Sequence, residues 1–492
     1  DSLEGDTLAD GSFALRLAGT VNERFPYTLE LLTNPSARDA GGTREGWTFE
    51  LSFAFLDTAL HATGEVADPL GEPSAEIRFG LGIDRFEQVE RLLQVRLPRP
   101  GPSALAGTLA WRRGVLIARD LNATVGDTVL AGAIELRTDS ARPKLSGALS
   151  LPQLDLRPFL VGEPADRPRS LLDTWRELEQ VTIPLQALTS LDVDLRLEVG
   201  RWLSLPGDAR DASLHLRIED GRLAVPLQAT IAGVVMRGEA QADARTVPPR
   251  LDLVLRAERT PLADLGRLLF GAPDLEGTLG RFDLRVSGEG SEVRDLARSL
   301  SVKIDVAQAR LSYGHGAGEQ PVSFSLDTFE LKADPGQPLA AKARGALLGS
   351  PLRATIEGGE LAGLARDGRM PLRVDAQAAG VRVGMSGTLA PPGPQDGPEI
   401  GFGLTAERSG ALAGWLGLDA SGKAPIALQG QVRVRSGETT LRDGSLVLGN
   451  SVLTANVEIP GEGGRRAVRA RLSAPLLDAD ELRALLPRRK GD

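Results

Sequence analysis

Histidines and paired carboxylates are the first places to look for chemistry, and this chain of 492 residues offers few. Its histidines are His61, His215 and His315, far apart along the sequence. A metal centre or a nucleophile with its base needs such groups gathered in one place. His215 falls on the charged side of the alternating run SLHLRIEDG, which makes it a solvated surface residue rather than a ligand. His315 sits in GHGAG, a loop tip rather than a phosphate cradle, because no strand–glycine–helix order surrounds it. Asp192 and Asp194 point outward on one predicted strand, and Asp478 and Asp480 open a helix, so neither pair is placed for acid–base work. GLGIDR from Gly80 lacks the last glycine of a dinucleotide fingerprint, and no nucleophile elbow, zinc-protease or P-loop pattern occurs. Cysteine is absent, which removes thiolate catalysis, thiolate metal sites and disulfides. The expectation is a protein that is not an enzyme and has neither cofactor nor catalytic or metal residues.

What remains is apolar. Strict alternation runs through LDVDLRLEVG (191–200), SLHLRIEDG (213–221), LDLVLRAE (251–258), FDLRVSG (282–288), VKIDVAQA (302–309) and FSLDTFELK (324–332). One side of each is Leu, Val, Ile or Phe and the other is mostly charged, the period of a half-buried strand. Gly, Pro and Asn at short intervals supply the turns of antiparallel meanders. Roughly 25 to 30 strands of ~5–6 residues fit the length, too many for one sandwich. Leu195, Leu197, Leu214, Leu216, Ile218, Leu251, Leu253, Leu255, Phe282, Leu284 and Val286 are the candidate site, lining either an ordinary core or an open groove. Alternation does not separate the two cases, since both need an apolar inner face.

The elements that position these leucines are repeated. Val115–Leu160 returns as Glu438–Arg483 in one order: Arg-Asp, strand, Gly-Asp or Gly-Asn turn, strand, ragged loop, strand, Leu-Asp. Arg119-Asp120 answers Arg442-Asp443, Gly126-Asp127 answers Gly449-Asn450, and Leu154-Asp155 answers Leu477-Asp478, every pair 323 residues apart. Upstream, Gly64 matches Gly387 and Phe79-Gly80-Leu81 matches Phe402-Gly403-Leu404. The duplication covers at least Trp47–Phe159 against Met370–Leu482, which decides the architecture before any motif does. Short helices are expected at 85–94, behind Ser170 along Leu171, Leu172, Trp175 and Leu178, from Thr260-Pro261, behind Ser291, and at an Asp478–Glu481 capping box.

A sheet with one apolar face cannot leave it in water, and a few short helices cannot cover so many strands. The expected fold class is therefore mostly β: an elongated, curled antiparallel sheet, a repeating groove of taco shape, with short helices closing strand groups. The expected divisions are a first groove module (1–165), a linker with an amphipathic helix (166–190), a central segment (191–320), a second groove module (321–487) and a basic tail (488–492). Net charge is −9 with the signs interspersed, which argues against a nucleic-acid surface. No run of 18 apolar residues occurs, and the opening DSLEGDTLADG suggests that an N-terminal piece, such as a membrane anchor, precedes it.

The strand–Gly-Asp–strand–loop–strand–Leu-Asp unit resembles the repeat of AsmA-family proteins of Gram-negative bacteria. So does LTSLDVDLRLEVGRWLSLPGDARDASLHLRIEDGRLAV (188–225). The resemblance spans nearly the whole chain and rests on texture rather than on a catalytic signature. It implies a bridge-like lipid-transfer protein: an inner-membrane N-terminal helix, absent from this chain, a periplasmic β-groove, and phospholipid transport or outer-membrane assembly. The expected function is non-enzymatic transfer or shielding of phospholipid acyl chains in the periplasm, supporting outer-membrane lipid homeostasis and assembly. The alternative is a scaffold that helps outer-membrane proteins assemble through strand contacts and carries no lipid.

Overall fold

A computed structural model describes residues 2–9, 12–21, 25–36, 46–68, 72–84, 101–155, 188–203, 209–231, 233–261, 275–313, 322–347, 349–363, 369–389, 399–415, 422–435, 438–459, 469–478 and 481. Strand dominates, as alternation requires. Two compact units divide the described chain, one running to Pro249 and the other starting at Arg250.

The first unit holds β1 (Ser2–Thr7), β2 (Phe13–Val21), β3 (Phe25–Ser36), β4 (Gly46–Phe55), β5 (Thr58–Ala67), β6 (Ser74–Ile83) and β7 (Ser103–Arg112). It continues with β8 (Val115–Val125), β9 (Thr128–Arg137), β10 (Lys144–Leu154), β11 (Asp192–Trp202), β12 (Ala209–Glu219), β13 (Arg222–Ile231) and β14 (Val234–Asp243). Each strand pairs antiparallel with the next up to β10. The β10–β11 step departs from the expected antiparallel pattern: these strands run parallel, from Lys144↔Asp192 to Leu154↔Trp202. A parallel pair needs a connection of a dozen or more residues, and residues 155–191 supply it. Antiparallel pairing then resumes through β14.

The second unit holds β15 (Arg250–Pro261), β16 (Leu275–Glu289), α1 (Val293–Ser299), β17 (Ser301–Tyr313), β18 (Val322–Ala333), β19 (Ala340–Leu347), β20 (Ser350–Gly358) and β21 (Met370–Ala378). It continues with β22 (Val381–Leu389), β23 (Glu399–Ala406), α2 (Ser409–Trp415), β24 (Ile426–Arg435), β25 (Glu438–Leu448), β26 (Ser451–Ile459) and β27 (Arg469–Leu476). All its pairings join sequence neighbours antiparallel.

The duplication is exact in register where it is visible. The irregularity between Ala106 and Thr108 in β7·β8 recurs between Gln429 and Gln431 in β24·β25. The one between Ala118 and Leu121 in β8·β9 recurs between Leu441 and Gly444 in β25·β26. The Arg-Asp mark explains both, because Asp120 (φ 51°) and Asp443 (φ 50°) are left-handed residues of a β-bulge. Asp tolerates that region better than most side chains. A third Arg-Asp, Arg210-Asp211, does the same in β12 with Asp211 at φ 51°.

A hydroxyl ties each turn to the Leu-Asp segment. The Asp155 N–H donates to Thr128 Oγ1 at 2.9 Å, and that hydroxyl donates to the Asp155 carbonyl at 3.2 Å. In the second copy the Asp478 N–H donates to Ser451 Oγ at 2.9 Å. There the expected capping box is replaced: Glu481 accepts from the Asn450 and Ser451 N–H groups at 2.9 and 3.0 Å and from Ser451 Oγ at 2.7 Å.

Thr260-Pro261 form the end of β15, and the helix expected after them lies outside the described residues. One expected start is corrected: α1 begins behind Glu292, without a side-chain cap from Ser291. The helix expected at 85–94, the one behind Ser170, His315 and the basic tail lie outside the described residues.

Thr128→Val and Ser451→Ala each remove the tying hydroxyl and should cost about 1–2 kcal/mol by urea unfolding. Gly64 and Gly80 test the sheet's close approaches. A Cβ on Gly64 would stand 2.5 Å from the Glu76 carbonyl oxygen, as one on Gly387 would stand 2.2 Å from that of Glu399, whereas Gly80 has nothing within 4 Å. Gly64→Ala should therefore cost about 1–3 kcal/mol, and Gly80→Ala should fall within about 0.5 kcal/mol of the parent.

Candidate functional site

Cross-strand register assembles the alternating leucines into continuous apolar rows, one set in each unit. In the first unit one row runs Leu17, Leu29, Phe53, Leu60, Leu81, Leu105, Ala123 and Leu130 across β2–β9. The named candidates extend the same face: Leu195 faces Leu216, Leu197 faces Leu214, and Ile218 faces Val193. In the second unit Leu251 faces Gly288, Leu253 faces Val286, and Leu255 faces Leu284. From there Leu284, Ile304, Leu331, Ala341, Ile356, Val374, Met385 and Phe402 form one row over β16–β23. Phe282 begins the adjacent row with Val306, Phe329 and Ala343.

All eleven candidates are half-buried. Deep burial lies elsewhere, chiefly near strand ends. In the second unit Val381, Ala406, Ile426 and Leu448, each first or last in its strand, cluster beneath Ala411 and Leu412 of α2. Ala309 and Leu279 form a smaller cluster with Phe282 and Val306 at its margin. In the first unit Leu151, Val199 and Ala212 pack together, with Leu197 and Leu214 at the margin. A closed sandwich buries mid-strand side chains most; here Leu121 and Leu279 are buried within their strands, but the eleven candidates keep part of their surface in water.

The opposite faces are ionic. Arg285, Lys303 and Lys332 stand directly across from one another, and so do Asp283, Asp305 and Glu330 one row along. Like charges in register repel, and ion pairs offset this: Arg281–Asp283 at 3.0 Å and Lys303–Asp305 at 3.2 Å along a strand, and Arg256–Asp283 at 3.2 Å directly across one. Asp243 is held well below the usual carboxylate range by hydrogen bonds from Arg245 and its backbone N–H, with Arg222 adding to them. Such exposed pairs add little stability each; they keep one face wet.

Of the residues first inspected for chemistry, His61, Asp192, Asp194 and His215 lie on the polar side of their strands. The His215 ring hydrogen-bonds Asp194 across the strand pair at 2.7 Å and is half-buried, so it is a structural partner rather than a freely solvated residue. Asp192 accepts from Arg142 at 3.5 Å and from the Asp220 N–H at 3.3 Å. His61 bonds Ser52 at 3.2 Å, and Gly80 of GLGIDR lies within β6. Sequence reasoning missed the aromatic part of the apolar face, Phe49, Phe53, Phe79, Trp47 and Trp111 in β4–β7; the alternation in WTFELSFAFL carried that signal. Among the described residues no helix is long and apolar enough to cross a membrane. No family model, curated protein or solved structure matches the chain.

Asp194 offers a check on this electrostatic picture. The His215 hydrogen bond holds its carboxyl below the ordinary 3.8. A depressed carboxylate contributes stability above its ordinary value and loses it as pH falls through the lower folded value. In His215→Ala the Asp194 carboxyl should titrate closer to 3.8 by NMR, and an unmoved titration would refute the pairing.

Proposed function

We propose that the apolar faces shield phospholipid acyl chains, making this a non-enzymatic lipid-transfer protein of the AsmA type that works in the periplasm and supports the outer membrane. The observation that carries this reading is the half-exposure of continuous mid-strand apolar rows in each unit. From Val193 to Val199 the apolar run of β11 spans about 20 Å at ~3.3 Å per residue. One leaflet of a bilayer with a ~30 Å hydrocarbon core is about 15 Å thick, so an acyl chain fits along a strand. Each methylene moved from water onto such a surface gains roughly 0.8 kcal/mol. The chemistry asked of the protein is thus burial without bond making, which matches a face built from Leu, Val, Ile and Phe.

Leu253→Asp combined with Leu284→Asp places charge in the second unit's rows. Lipid extracted from the purified double variant should fall to background by mass spectrometry, while circular dichroism retains the strand signal. Arg285→Asp, on the ionic face, should leave bound lipid unchanged. A parent protein carrying no phospholipid after detergent-free purification would sink the proposal and favour the scaffold reading.

A further inference from the structure

The two copies of the duplication differ at one row of the polar side. In the second copy that row reads Thr388, Glu399, Arg433 and Thr440 across β22–β25. Glu399 is satisfied there: Arg433 Nε donates to its Oε2 at 3.0 Å, and Arg433 Nη2 donates to the same atom. The matching row of the first copy, 323 residues earlier, reads Glu65, Glu76, Ala110 and Ile117 across β5–β8. A second carboxylate stands in place of the threonine, and a methyl group in place of the neutralising guanidinium. The two carboxylates face each other directly across the strand pair, an arrangement that costs stability unless a cation joins them.

The smaller side chain at position 110 leaves space. A cavity of about 900 Å³ has Ala110 and Ile117 in its lining together with Glu65, Glu76, Arg112 and Arg119. Two further charged residues of the lining are already engaged, Arg113 with Glu72 and Asp139 with Arg137. Glu65, Glu76, Arg112 and Arg119 have no hydrogen-bond or ion-pair partner among the described residues. Arg112 and Arg119 each lie two residues along their strands from the carboxylate row, on opposite sides of it. That separation is about 7 Å at ~3.4 Å per residue.

We propose that this cavity binds a small zwitterion. Its guanidinium is held by Glu65 and Glu76, where the second copy places Arg433, and its carboxylate is held by Arg112 or Arg119. A guanidinium is the group that the same carboxylate position already binds within this chain, and its planar fork spans two acceptors as a compact ammonium does not. Three methylenes between guanidinium and carboxylate give about the 7 Å that separates the two kinds of row. The site lies on the polar side, so it neither needs nor competes with acyl chains on the apolar rows.

Isothermal titration of the full chain with γ-guanidinobutyrate tests this, and saturable one-to-one binding is expected. γ-Ureidobutyrate has the same shape without the positive charge and should bind about tenfold more weakly; butylguanidine, without the carboxylate, should bind about threefold more weakly. Ala110→Arg grafts the second copy's arrangement onto the first and should abolish binding. Glu76→Gln should weaken it about tenfold. An unchanged urea midpoint checks that each variant stays folded. Absence of saturable binding, equal affinity for either comparator, or binding that survives Ala110→Arg would overturn the proposal.

Discussion

One constraint organises this protein: a strand that alternates Leu or Val with Asp or Arg has two incompatible faces. Water must be kept from one and admitted to the other. Pairing each strand with its neighbour in register turns single leucines into rows, and cross-strand rows are where a sheet gains its stability. The ionic side follows from the same register, since a row of like charges arises wherever polar positions align. Lys303 against Lys332 is tolerated because Asp305 stands one row away. Bulges at Asp120, Asp211 and Asp443 locally increase twist, and twist keeps neighbouring strands in contact.

Much of this was legible in the sequence, and the exceptions have physical reasons. Alternation and turn residues indicated a strand-dominated chain, and the 323-residue offset indicated which pieces share a register. The parallel β10–β11 pair was not legible, because alternation is blind to strand direction. Direction is decided by where residues 155–191 deliver the chain, which is a tertiary matter. Helix starts were legible only to within a residue or so: α1 begins behind Glu292 rather than Ser291, and the Glu481 carboxylate is taken by the Asn450–Ser451 turn, a tertiary contact that spacing does not show.

The candidate face was legible in kind and incomplete in extent. All eleven named residues lie on the apolar rows, because period two is the signal that selects them. The same signal in β4–β7 went unused, where Phe49, Phe53 and Phe79 carry the face with fewer leucines. Whether the face was core or groove lay beyond the sequence, since both need the same residues. Depth bears on it: Val381 and Leu448 at strand ends are exposed to only 0% and 2%, while all eleven named residues are half-buried.

The single parallel joint also bears on how the chain comes together. Elsewhere each strand contacts mainly the strands before and after it in sequence, so loop-closure entropy is paid in small increments and hairpins can form independently. At β10–β11 the chain must close over residues 155–191 before a single pair forms. That closure spans a longer loop than the hairpins on either side of it, so it carries the larger entropic cost and makes the first unit's pairing less local than the second's.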